Sequence, residues 1–78
     1  MPSIRNDEYV KAFGKNLRKL RLDRGLTCEA LEEKTGIDFR QISRLERGER
    51  SPTISTMLIL AKGLNLKPLD LLDFEFDN

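Results

Sequence analysis

Residues 25–51 read GLTCEALEEKTGIDFRQISRLERGERS, and the pattern of this stretch sets the fold. It parses into two short helices joined by a tight turn. Thr27 is a good N-cap, and Glu29, Glu32 and Glu33 crowd the first turns, where the helix dipole favours negative charge. Gly36 stops the first helix, because glycine takes the left-handed conformation that a C-terminus needs. Asp38 opens the second, with Gln41 three residues on at capping-box spacing, and Gly48 ends it. Leu31, Ile37, Ile42 and Leu45 fall inward at helical spacing. Phe39, Arg40, Ser43, Arg44 and Arg47 remain outward on the second helix, a basic face of fork-shaped hydrogen-bond donors that suits the major groove of DNA.

Outward from this unit, the chain predicts three more helices. From Glu8 to about Asp23, Val10, Phe13, Leu17 and Leu20 recur at three- and four-residue steps, with Lys11, Lys15, Arg18 and Lys19 on the other faces. Asp7 is a candidate cap for this helix, and Gly25 closes it. Pro52 and Thr53 mark the start of a helix over 54–63, with Met57, Leu60 and Ala61 inward and Asn65 breaking the run. Pro68 suits the first turn of a short last helix carrying Leu69, Leu71 and Leu72. The organisation expected is a flexible N-terminal arm over 1–7, a helical domain over 8–73 and a tail over 74–78 in which Phe74 and Phe76 share a side if extended. The fold class is all-α, with five helices.

Seventy-eight residues make one small domain, and 38% hydrophobic content is enough for one core. One cysteine and no histidine exclude an internal disulfide framework, a zinc finger and histidine-based catalysis. No nucleophile–base pair or metal cluster is visible, so an enzyme, a cofactor and a metal are not expected. A single cysteine and the lack of a long apolar run fit a cytoplasmic protein with no membrane partner. The net charge of +1 hides a division. Residues 1–50 hold twelve Lys and Arg against nine Asp and Glu, net +3, and residues 51–78 hold two against four, net −2. Charge alone fits a solvated surface better than a binding face; what matters is that the basic half contains the two-helix unit.

The chain is similar to the Cro/repressor-type (Xre-like) helix-turn-helix family. Phe13-Gly14, Leu17, Leu20-Arg21 and Gly25-Leu26-Thr27 resemble that family's first helix and its exit. Glu29, Leu31, Gly36 and Ile37 resemble its second helix and turn. The run from Ile42 to Gly48, with Arg50 to Thr53, resembles its recognition helix and following loop, and Met57, Leu60-Ala61, Leu64, Leu66 and Leu71-Leu72 its closing helices. Three positions depart from the pattern: Cys28 stands where the family has a phosphate-holding Gln, Phe39 stands at a base-reading position, and Lys67 replaces a capping Ser or Thr.

The resemblance implies a compact lambda-repressor-like domain acting as a small stand-alone regulator, like restriction-modification controller proteins or phage Cro-like repressors. It implies a structural salt bridge between Arg21 and Glu46. It also implies an operator read by helix 3, with base contacts from Phe39, Arg40, Ser43 and Arg44. Arg44 is the stronger base reader, Arg40 and Ser43 are open to a base or a phosphate, and Phe39 is open to a thymine methyl or to a core place beside Ile42, with the exposed position favoured. Phosphate contacts are expected from Thr27, Cys28, Gln41, Arg47 and Arg50. Gln41 is equally open to its capping role, Arg50 to a minor groove, and Cys28 to being a small, partly buried residue or a redox-sensing thiol. Leu58, Ile59, Leu69 and Phe74 form a candidate apolar dimer interface, and a homodimer implies a pseudo-palindromic double-stranded DNA operator. An activator would also contact RNA polymerase. The competing reading is a protein-interaction module, such as an antitoxin or co-regulator, acting through the apolar C-terminal residues Leu69, Phe74 and Phe76.

Overall fold

The computed structural model describes residues 6–77. Four α-helices and one 3₁₀ helix follow in order: α1 (Asp7–Asp23), α2 (Cys28–Thr35), α3 (Phe39–Glu46), α4 (Ile54–Gly63) and the 3₁₀ helix Pro68–Leu72. Of the expected arm, Met1 to Arg5 lie outside the described residues.

Each α-helix is opened by a side chain and closed by a left-handed residue. Asn6, not Asp7, caps α1, its Oδ1 accepting from Tyr9 N–H at 2.9 Å. That choice leaves Asp7 and Glu8 inside the first turn, where both carboxylates face the positive end of the dipole. Thr27 and Thr53 accept from Ala30 and Thr56 N–H, each at 3.0 Å. Asp38 accepts from Arg40 N–H at 2.7 Å. Gly25, Gly36, Gly48 and Asn65 carry the positive φ that turns the chain off each helix.

The core is one cluster: Phe13, Leu17, Leu31, Ile42, Leu45, Leu60, Ala61, Leu64 and Leu71 are buried together. α1 packs on α3, α2 packs on α3 and α4, and the 3₁₀ helix closes against α1 and α4. At the α1–α3 crossing the backbones nearly touch. A Cβ added to Gly14 would meet the carbonyl oxygens of Leu45 and Glu46, the second at 2.5 Å. Glycine is tolerated in the middle of α1, despite its poor helix propensity, because nothing larger fits there.

The expected fifth helix is only five residues of 3₁₀ structure. Two of its ends are already taken. Asp70 accepts from Lys67 N–H at 3.0 Å, replacing the missing Ser or Thr cap, and Asn16 of α1 donates to the carbonyls of Asp70 and Leu71 at 3.2 and 3.0 Å. The Asp70 carbonyl also accepts from Asp73 N–H at 3.3 Å, and with Asn16 on the Leu71 carbonyl the element ends there. Beyond it, Phe74 and Phe76 both reach Tyr9 of α1, with ring centroids 5.2 and 4.9 Å away. Among the described residues no helix is long and apolar enough to cross a membrane, and no group of His, Cys, Asp or Glu is arranged to hold a metal.

Candidate nucleic-acid interface

The outward side of α3 rests on a buried ion pair. Arg21 of α1 donates through Nε to Glu46 Oε2 at 2.6 Å and through Nη2 to Oε1 at 2.9 Å. Its remaining Nη1 donates to the Leu26 carbonyl at 2.7 Å. Both side chains are below a tenth exposed. The hydrogen bond that Arg21 donates to Glu46 holds the Arg21 pKa above its ordinary value, against the opposing effect of burial. One guanidinium therefore joins α1, the α1–α2 turn and the last turn of α3. Glu46 is spent inside the protein, so it does not offset the arginines on the outer face.

On that outer face, Cys28 and Glu29 of α2 and Phe39, Arg40, Ser43, Arg44 and Arg47 of the α3 region line one shallow depression. A helix turns about 100° per residue, which keeps 40, 44 and 47 on one stripe with 39 and 43 beside it. Gln41 lies about a quarter-turn away. It lines a separate depression with Arg50, Ser51, Pro52, Thr53 and Thr56, where α3 meets the start of α4. The nine residues expected to touch nucleic acid thus fall on two flanks of α3. The α2 N-terminus stands on one flank and the α3–α4 loop on the other.

Individual placements add detail. Phe39 is half-buried and lies outside the core cluster, with the Arg40 guanidinium 5.1 Å from its ring centroid. Arg40 Nη1 also lies 3.8 Å from Asp38 Oδ2. Thr27 Oγ1 is occupied as the α2 cap. Cys28 is half-buried against the core, and burial, with the Glu46 carboxylate, pushes its thiol pKa up. A raised thiol pKa opposes the reactive-thiolate reading. Arg47 is engaged with Glu49, its Nε 2.6 Å from Oε2. Sequence reasoning passed over Glu49, although its position two residues beyond Arg47, across Gly48, was a visible signal.

Of the four residues proposed for a dimer face, Leu58, Ile59 and Leu69 are exposed, together with Ile54 and Leu72, on adjoining elements. Phe74 is not with them. It is half-buried, packed toward Tyr9 and the core cluster.

The profile of the helix-turn-helix family HTH_3 matches residues 17–72. The chain is a member of that family. It is 39% identical over 61 residues to the HTH-type transcriptional regulator y4dJ of Sinorhizobium fredii, covering 78% of this chain and 79% of that one. Its structure is similar to the restriction-modification controller protein C.AhdI of Aeromonas hydrophila, with a TM-score of 0.77 and 36% identity over 85% of this chain and 98% of the other. It also resembles the controller protein C.Esp1396I, solved as a tetramer on its natural 35 base-pair operator, with a TM-score of 0.76 and 28% identity over 92% and 90% of the two chains.

Proposed function

We propose that this protein is a DNA-binding transcriptional regulator that binds a pseudo-palindromic operator as a homodimer, with α3 in the major groove. The observation that carries it is the row of exposed arginines Arg40, Arg44 and Arg47, with the half-buried Ser43 among them, on one side of α3, mounted on the buried Arg21–Glu46 fork. Arg44 is the principal base reader, with Arg40, Ser43 and Phe39 beside it. A bidentate arginine on guanine O6 and N7 discriminates by roughly 1–3 kcal/mol. Thr27 and Cys28 hold the backbone of one strand through the α2 N-terminus, and Gln41 and Arg50 hold the other from the loop side. The likeness to an operator-bound controller protein supports this docking, and a restriction-modification controller or phage-type repressor is the setting proposed.

The dimer face is Ile54, Leu58, Ile59 and Leu69, with Ile54 87% and Leu69 75% exposed. Large apolar side chains left exposed on two adjoining elements support an interface there. Two-fold pairing then sets the half-sites one helical turn apart, about 34–36 Å. The alternative of a protein-partner module loses support from Phe74 and Phe76, since both are folded onto Tyr9.

Selection of duplexes from a randomised library tests the reading. The expected outcome is a short palindromic motif whose binding weakens steeply with salt and loses roughly ten- to a hundredfold on Arg44→Ala. Binding without sequence preference, and indifferent to Arg44, would sink it.

A further inference from the structure

Arg47 already has a partner on the face that would meet DNA. Its Nε donates to Glu49 Oε2 at 2.6 Å and its Nη2 to Oε1 at 3.3 Å, while Nη1 donates to Ser43 Oγ at 2.5 Å. Two nitrogens on two carboxylate oxygens is the fork geometry with which a guanidinium takes a backbone phosphate. The backbone beneath is held firmly. Gly48 is buried in the left-handed region against Lys11, and Glu49 N–H donates to the Arg44 carbonyl at 2.9 Å. The side chains are the opposite, 55% and 53% exposed, so water screens the pair and its opening costs little. The hydrogen bond from Arg47 holds the Glu49 carboxyl below its ordinary pKa, so it is ionised at neutral pH. A carboxylate kept in that fork repels an incoming phosphate.

We infer that Glu49 is a built-in phosphate mimic: it occupies Arg47 in the free protein, is displaced by a backbone phosphate on binding, and so sets the affinity and salt dependence without reading sequence. This rests on the DNA-binding reading above. The exchange is nearly neutral in ions. The phosphate loses a condensed cation when Arg47 arrives, and the released carboxylate attracts one.

The test uses the full chain and the duplex it selects from a randomised library, with binding measured across a salt series. Wild type is compared with Glu49→Gln, Arg47→Ala and the double variant. Glu49→Gln is expected to bind roughly two- to fivefold tighter per protomer, with the log–log salt slope steeper by about one per protomer. Both gains are expected to vanish in the Arg47→Ala background. An unchanged affinity and slope overturns the mimic. So does an equal gain with and without Arg47, which is a general charge effect. Thermal melts check folding, and Glu49→Ala is held to the same criteria if Glu49→Gln melts early. Absence of any selected duplex would remove the mimic together with the DNA-binding reading, whereas selection that depends on Arg44 but is indifferent to Glu49 removes the mimic alone.

Discussion

Arg21 and Glu46 meet at 2.6 Å between Nε and Oε2, and Arg47 and Glu49 meet at the same distance between the same atoms. Both pairs involve the end of α3. Their surroundings differ completely: the first pair is 9% and 6% exposed, the second 55% and 53%. Bond length therefore says nothing about role here. A buried pair is a commitment, because removing one partner strands a charge in a poor solvent. An exposed pair is exchangeable, because water replaces either partner at little cost. The two together divide the work at the end of α3, with the inner pair fixing where the helix lies and the outer pair governing what its surface meets.

Glu46→Ala attacks that contrast most severely. It leaves Arg21 charged and unmatched, and the expected loss is about 3–5 kcal/mol, a large share of the roughly 5–15 kcal/mol that holds a small domain together. Urea denaturation of this variant beside Glu49→Ala is the comparison to run. The midpoint of Glu49→Ala is expected to stay at the wild-type value, and equal losses in the two variants would erase the distinction between the pairs.

Gly14→Ala approaches the inner pair from the backbone. Alanine is the better helix former by about 1 kcal/mol, yet its Cβ would meet the Glu46 carbonyl oxygen at 2.5 Å. Overpacking of this kind costs typically 1–3 kcal/mol, so the expected net change is a modest destabilisation. It should be accompanied by a shift of the Arg21 Nε–H resonance as α3 is pushed off α1. A stabilised variant with that resonance unmoved would show that the crossing has slack.

The smallest effect concerns protons on the outer pair. The Glu49 carboxyl is depressed in the folded protein by the Arg47 hydrogen bond. A depressed folded pKa contributes stability that is present above the ordinary carboxylate range and is lost as pH falls through the folded value. A carboxyl-detected titration is expected to place Glu49 below an ordinary glutamate and to return it upward in Arg47→Ala. No movement in that variant would mean that another group holds it.

Much of this molecule was legible in the chain. Thr27, Asp38 and Thr53 as caps, Gly36 as a stop, α4 over 54–63 and the inward leucines all followed from local chemistry and period, because each signal needs only residues within a turn or two. The misreadings share a cause. Asn6 and Asp7 are equally good caps by type, and only the placement of α1 chose between them. Phe74 looked like part of an exposed apolar patch, but Tyr9, sixty-five residues earlier in the chain, draws it inward. The last helix is a short 3₁₀ turn whose closing carbonyls are held by Asn16, another partner remote in sequence.

The amino-acid sequence by itself determined the order and bounds of the helices, the apolar core and the arginine-rich stripe on α3, since capping, left-handed stops and helical period act over a few residues. The tertiary structure decided that the Arg21–Glu46 pair, which the family resemblance implied, is buried while Arg47–Glu49 lies in water, and why position 14 must be glycine. Those outcomes depend on how closely α1 crosses α3, a distance that no local pattern encodes.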